Sequence, residues 1–259
     1  MGEAGVTAAE PPPRTAGPSA MTNGGDDGTP DAAPRARWRQ WAGQTLAEAT
    51  GRRHRVDPVA PRTGGPAGNA RLTAWTGLVL LVLFLAEIGT LLDLDGFVSW
   101  HIAIGTLLVP PALLKTVTTG WRVLRYYTHR PAYRQAGPPP APLRVLGPLV
   151  VVSTLALLGT GLALVAAGPY AMSLLTFHKI ATAAWVITTG LHTLGRILPA
   201  LRIAGIGRET TPLPGRTARV VILLLALAVA GLTATLVLTA SHPWAAGQHL
   251  TPHQATYGR

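Results

Sequence analysis

Apolar residues along this chain gather into runs of about 20, separated by polar or proline-rich stretches, the pattern of a chain that crosses a bilayer repeatedly. The runs cover residues 72–92, 97–118, 146–167, 174–194 and 220–240. Only helices and closed barrels satisfy their own backbone in hydrocarbon, and runs this long with no strict alternation are helical. The expected fold is therefore all-α: a polytopic membrane bundle of five transmembrane helices, a four-helix core plus one. Asp93, Leu94, Asp95 and Gly96 mark a turn between the first two spans, and Gly168 to Ser173 mark one between the third and fourth. Pro110 and Pro111, lacking N–H donors, are expected to kink the second span. Gly159 and Gly161 in the third permit close backbone approach.

The flanks read differently. Residues 1–70 are rich in Ala, Gly, Pro and Arg, as in EPPPR, TNGGDDGTPDAAP and PVAPRTGGPAG. They offer too little apolar surface to offset the entropy of ordering. The domain plan is thus a disordered basic cytoplasmic tail over 1–70, the five-span transmembrane bundle over 71–240, and a polar external tail over 241–259. Inside the first tail, residues 37–50 (RWRQWAGQTLAEAT) have two readings of equal weight. One is a helix with Trp38, Trp41, Ala42, Thr45 and Leu46 on one arc, lying on an anionic leaflet; the other is an unstructured basic patch. Residues 1–30 hold no apolar segment of signal-peptide type, which leaves the first span as the expected targeting signal.

Charge sets the orientation. The chain is 48% hydrophobic and 13% charged with a net charge of +11, a mixture of apolar tracts and arginine-rich connections. Of 22 Lys and Arg, nine precede the first span, five lie between the second and third, and five lie between Arg196 and Arg219. The positive-inside rule then places the N-terminus in the cytoplasm and the C-terminus outside, in the plasma membrane. Because the basic residues flank apolar runs, orientation accounts for them and nucleic acid is not an expected partner. The 259 residues include no cysteine, which excludes disulfides, thiolate iron–sulfur clusters and covalently attached haem. Histidine is left as the obvious soft ligand.

On that topology the second and fourth spans both run from outside to inside. His101 and His178 each fall about one turn below the outer surface, at one level. His192 follows His178 by fourteen residues, a rise of about 21 Å and a rotation to within about 40° of the starting direction, so it lies on the same face near the inner surface. Laying the first hairpin over the second matches His101 with His178 and Lys115 with His192. Two imidazoles facing one another at one depth are what a low-spin haem needs, one nitrogen on each face of the iron. Gly105, Ala181 and Thr182 are small and one turn from the ligands. The plainer reading of each histidine is an interhelical hydrogen bond or an interfacial polar residue.

Three segments carry a family resemblance: WHIAIG at residues 100–105, GWRVLRYYTHRPAYRQAGPPP after the second span, and FHKIATAAWVITTGLH at 177–192. Over residues 72–240 the chain resembles bacterial, particularly actinobacterial, cytochrome-b-type integral membrane proteins. It is more distantly similar to the haem b subunits of membrane formate dehydrogenases and nickel–iron hydrogenases. The resemblance implies haem b as cofactor, with His101 and His178 as iron ligands, and electron transport between quinone and a partner oxidoreductase subunit. It also matches His192 to the second histidine of a di-haem helix. Lys115 departs from that pattern, because the di-haem families place histidine there, so one haem is expected and an inner one stays open. The chain would serve as an electron-transfer subunit rather than a self-contained enzyme, and a second copy of the chain is kept among its partners.

Other residues add alternatives. Glu87 is the one acid of the first span, read either as a structural acid, as a proton carrier to a quinone, or as a partner of Lys179. Lys179 itself is explained by an interfacial position. His242, His249 and His253 are irregularly spaced in a polar tail and favour no metal. No phosphate loop, dinucleotide fingerprint or nucleophile motif is present. The rivals to a cytochrome are a non-redox anchor or assembly protein with structural histidines, and a small proton-coupled transporter using Glu87 and the histidines.

Overall fold

The computed structural model describes residues 32–50, 52, 56–138, 141–168, 170–206 and 212–241, and all regular structure among them is helical. The expectations for residues 1–31 and for His242, His249 and His253 lie outside the described residues. The helices are α1 (Ala32–Ala49), α2 (Gly65–Thr90), α3 (Leu94–Leu107), α4 (Val109–Tyr127), the short α5 (Pro131–Ala136), α6 (Ala141–Ala167), α7 (Met172–Ala204) and α8 (Arg216–Ala240). A single 3-10 turn, Leu91–Asp93, joins α2 to α3.

Among the described residues, four helical segments are long and apolar enough to cross a membrane: Gly65–Tyr127, Leu143–Ala167, Met172–Ala204 and Arg216–Ala240. The first is 63 residues long and folds back on itself. Asn69 Nδ2 donates to the Thr118 carbonyl at 3.0 Å near one end, and His101 meets Glu87 near the other. Helix α2 therefore runs antiparallel to α3 and α4. The reversal is sharp because the Asp93 carboxylate caps the next helix, accepting from the Gly96 N–H at 3.1 Å, while Phe97 relaxes to φ −114°. Helix α3 breaks from α4 at Leu108, just ahead of Pro110 and Pro111, since two successive residues without an N–H leave two carbonyls without donors.

Packing follows the small and aromatic positions. Leu80, Leu108 and Ala112 form a buried cluster with Leu83, Phe84 and Leu158 against it. Helices α6 and α7 pair antiparallel, held by Ser153 to Thr188 at 2.8 Å and by the Trp185 indole N–H donating to Thr154 at 3.1 Å. The Trp185 ring also lies 4.4 Å from Phe84, which ties α7 to α2. Outward-facing positions such as Val82, Leu85, Ile187 and Leu232 are all more than 60% exposed. A surface this apolar on helices this long is built for lipid.

Element boundaries depart from the apolar runs at several ends: α4 runs on from 118 to Tyr127, α6 starts at Ala141 and α8 at Arg216. Helix α2 begins at Gly65 rather than 72, and α7 continues ten residues beyond 194 to a cap at Gly205 in the left-handed region, φ 84°. The α2 and α7 extensions carry Arg71, Arg196 and Arg202, and the lower hydropathy these bring ends each apolar run before its helix ends. The two helices are fastened to each other there: Arg71 Nε donates to the Ile203 carbonyl at 3.0 Å and Trp75 to that of Ala204 at 3.1 Å. Within residues 1–70, composition predicts disorder, yet α1 packs along α7 and α6, and Asp57 accepts a two-pronged bond from Arg122 at 2.8 and 2.9 Å. Of the two readings of residues 37–50, the helix is the one observed, with Trp38 and Leu46 exposed.

Candidate functional site

Four helices converge on the two histidines predicted to share a level. His101 comes from α3 and His178 from α7, and their ring centroids lie 6.4 Å apart with planes at 87°. Helix α2 supplies Glu87 and Thr90, and α6 supplies Thr160 and Gly161. The Nδ1 atom of His101 sits 3.0 Å from the Thr90 hydroxyl and 3.1 Å from Glu87 Oε1. The Nδ1 atom of His178 sits 3.0 Å from the Thr160 hydroxyl. Both rings are thus held through Nδ1, the nitrogen whose engagement leaves Nε2 to act as a ligand.

The 6.4 Å separation is longer than the about 5 Å that a direct N–H···N bond between the rings would give, so the two imidazoles do not bond each other. Each instead makes the interhelical hydrogen bond of its plainer reading, His101 to Thr90 and Glu87 of α2 and His178 to Thr160 of α6. For comparison, two imidazole nitrogens each about 2 Å from one ion would put the centroids about 6 Å apart. Among the described residues, no three of His, Cys, Asp and Glu gather as a metal site.

Small residues give the rings their room. A Cβ on Gly161 would meet His178 Cε1 at 3.2 Å, and one on Gly105 would meet Glu87 Oε1 at 3.2 Å. Gly159, by contrast, faces open space, so of the two glycines predicted to permit close approach only Gly161 does. Glu87 Oε2 is buried with no hydrogen-bond partner in the structure, a polar atom aimed into the bundle. Glu87 meets His101 rather than Lys179, whose position on α7 is exposed. Thr90 and Thr160 were not singled out by the sequence. A hydroxyl in an otherwise apolar span was the available signal.

The inner histidine has a different neighbourhood. Lys115 and Arg196 both act electrostatically on His192, and among the described residues no second imidazole is paired with it. His192 Nδ1 and Thr189 Oγ1 are buried without hydrogen-bond partners. Lys115 reaches this region past Gly77, where a Cβ would stand 2.5 Å from its Nζ. The overlay of the two hairpins thus puts an imidazole pair at one level and a lysine–histidine pair at the other.

No protein-family model, curated protein or solved structure matches this chain. What defines the site is its geometry: among the described residues the chain is all-helical with four candidate membrane-spanning segments, and two neighbouring histidines are each held through Nδ1.

Proposed function

We propose that the chain is a five-span membrane protein that holds one b-type haem between His101 and His178 and relays electrons between the quinone pool and a partner oxidoreductase. The ring separation of 6.4 Å with both Nδ1 atoms anchored carries this reading. The two limbs of Gly65–Tyr127 each cross the bilayer, since α2 alone and α3 with α4 are each long enough and lie antiparallel. With the three remaining segments the total is five. The arginine-rich connections then face the cytoplasm, and the histidine pair lies toward the outer surface.

In this reading the iron supplies a one-electron couple, and the chain's residues do the rest. His101 and His178 would hold the iron through their ring nitrogens. Thr90 and Glu87 orient the first ring and Thr160 the second, each bond engaging Nδ1 and leaving Nε2 for the iron. Phe84, Trp185 and the Leu80 cluster keep the surroundings apolar, which raises the leverage of every nearby dipole on the couple. His192 faces Lys115 instead of histidine, so a second haem of the same type has no ligand pair.

The test is a reduced-minus-oxidised spectrum of purified full-length protein made with ample haem supply. A sharp α-band in one-to-one stoichiometry with protein supports the proposal; its absence sinks it. A second reading has one observation of its own, the buried, unpartnered Glu87 Oε2, which suits a proton-coupled transporter. No α-band, together with proton uptake into proteoliposomes that Glu87→Gln removes, would decide for that.

A further inference from the structure

An open cavity lies at the arginine-rich end of the helices, remote from the histidine pair. It offers about 590 Å³ between the loop before α2, the end of α4 and the start of α5. Asn69, Trp121, Arg125, Arg130, Tyr133 and Arg219 line it, and no carboxylate does. The volume falls in the range of small-ligand sites, roughly 300–1,000 Å³.

The charges in it are uncompensated. Arg122, one turn from Arg125 on the same face of the chain, is neutralised by Asp57 through a two-pronged bond at 2.8 and 2.9 Å. Among the described residues, Arg125, Arg130 and Arg219 have no such carboxylate. Arg125 instead stacks on the Trp121 ring, 4.2 Å from its centroid, which holds the guanidinium in place. Arg219 is 95% removed from solvent, being 5% exposed. Its terminal nitrogens donate to the carbonyls of Thr63, Pro214 and Leu213 at 2.8 to 3.0 Å, while its Nε is buried without a partner. A buried guanidinium that keeps its charge with only carbonyls around it is electrostatically incomplete, and an anion in the cavity completes it.

We propose that this cavity binds a phosphate ester, presented by the headgroup of an anionic phospholipid in the adjoining leaflet. Arg125 and Arg130 provide planar donors suited to phosphate oxygens, and Arg219, whose terminal nitrogens are taken by carbonyls, adds positive charge behind them. Tyr133 and Asn69 add neutral hydrogen-bonding groups for the ester and glycerol oxygens. The site stands at the ends of α2 and α4, the depth at which lipid phosphates lie, and basic pockets between spanning helices are where such headgroups are recognised. The inference rests on the membrane reading and not on haem.

The experiment uses full-length protein in neutral-lipid nanodiscs, with phosphatidylglycerol titrated in and bound lipid counted by native mass spectrometry. One equivalent of phosphatidylglycerol is expected to be retained in preference to phosphatidylcholine. Arg125→Gln with Arg130→Gln is expected to weaken it roughly thirtyfold, about fivefold for each charge. Arg134→Gln, which removes the same charge one turn away outside the cavity, should change affinity less than about twofold. Inorganic phosphate and glycerol phosphate form the second arm. If they bind and the double variant loses them while lipid is not retained, the site stands and its ester is soluble. Equal loss in Arg134→Gln, or no preference for any of these anions, overturns the proposal. Helicity and elution volume confirm that the variants fold, and because no haem spectrum is read, failure here is distinct from failure of the cytochrome reading.

Discussion

A threonine hydroxyl decides what each histidine can do. Thr160 accepts or donates at His178 Nδ1 over 3.0 Å while its own proton is also within reach of the Ala156 and Leu157 carbonyls. Replacing it with valine keeps the volume and removes the anchor, so Thr160→Val should retain the fold and weaken haem affinity by about 10- to 100-fold, read by titration of the apoprotein. Removal of a proposed ligand should be more severe. His101→Ala and His178→Ala should each abolish the α-band, whereas His192→Ala should leave it, and an equal loss in His192→Ala would place a second haem at the inner level. The level of His101 and His178 was legible in the sequence because it follows from counting turns inside two apolar runs. Their Nδ1 partners were not. A membrane threonine normally satisfies itself on the carbonyl one turn back, and whether it also reaches a neighbour depends on the rotation of its helix, which an all-apolar run does not encode. Glu87 was legible as unusual but not in its partner, since Lys179 and His101 lie at similar depths and only packing separates them.

At the scale of elements, the closeness of α6 to α7 beside His178 requires a glycine. A Cβ on Gly161 would stand 3.2 Å from the His178 ring, while Gly159 has open space. Gly161→Leu should force α6 and α7 apart, costing about 1–3 kcal/mol in unfolding free energy and broadening or erasing the α-band. Gly159→Ala should leave both unchanged. The loop before α2 shows the other kind of element-level constraint. Asp57→Asn, which removes the charge that Arg122 grips, should lower stability by about 1.5–3 kcal/mol and open residues 56–64 to limited proteolysis. Composition alone assigns that loop to a tail because proline and glycine dominate it. The bond that orders it joins positions 65 residues apart, beyond the reach of any local pattern.

At the scale of the whole molecule, topology is open to a direct experiment because the chain has no cysteine. Single substitutions can be mapped with a membrane-impermeant maleimide on intact cells. Asp95→Cys and Tyr170→Cys are expected to label from outside, and Arg130→Cys and Thr217→Cys only after permeabilisation. Labelling of Asp95→Cys and Arg130→Cys from the same side would mean that Gly65–Tyr127 crosses differently and would remove the five-span arrangement. The apolar runs disclosed the helices themselves because lipid demands length and composition together. They did not disclose the polar extensions of α2 and α7, whose Arg71 and Trp75 bonds to the end of α7 lie beyond the apolar boundary.

The turn at Leu91–Asp93 bears on how such a chain is made. Three residues of 3-10 helix connect α2 to α3, and the passage from α6 to α7 is nearly as brief, with Gly168 turning at φ 85°. Almost no hydrophilic chain has to be carried across the bilayer at either reversal. On the five-span topology proposed above, each pair of helices would partition from the ribosome exit into lipid as a closed hairpin, its backbone already bonded, with the arginine-rich connectors left on the side of synthesis. Assembly would then bring together the two hairpins and α8, which lies along α3 and α4, and the hairpins would meet where one carries His101 and the other His178.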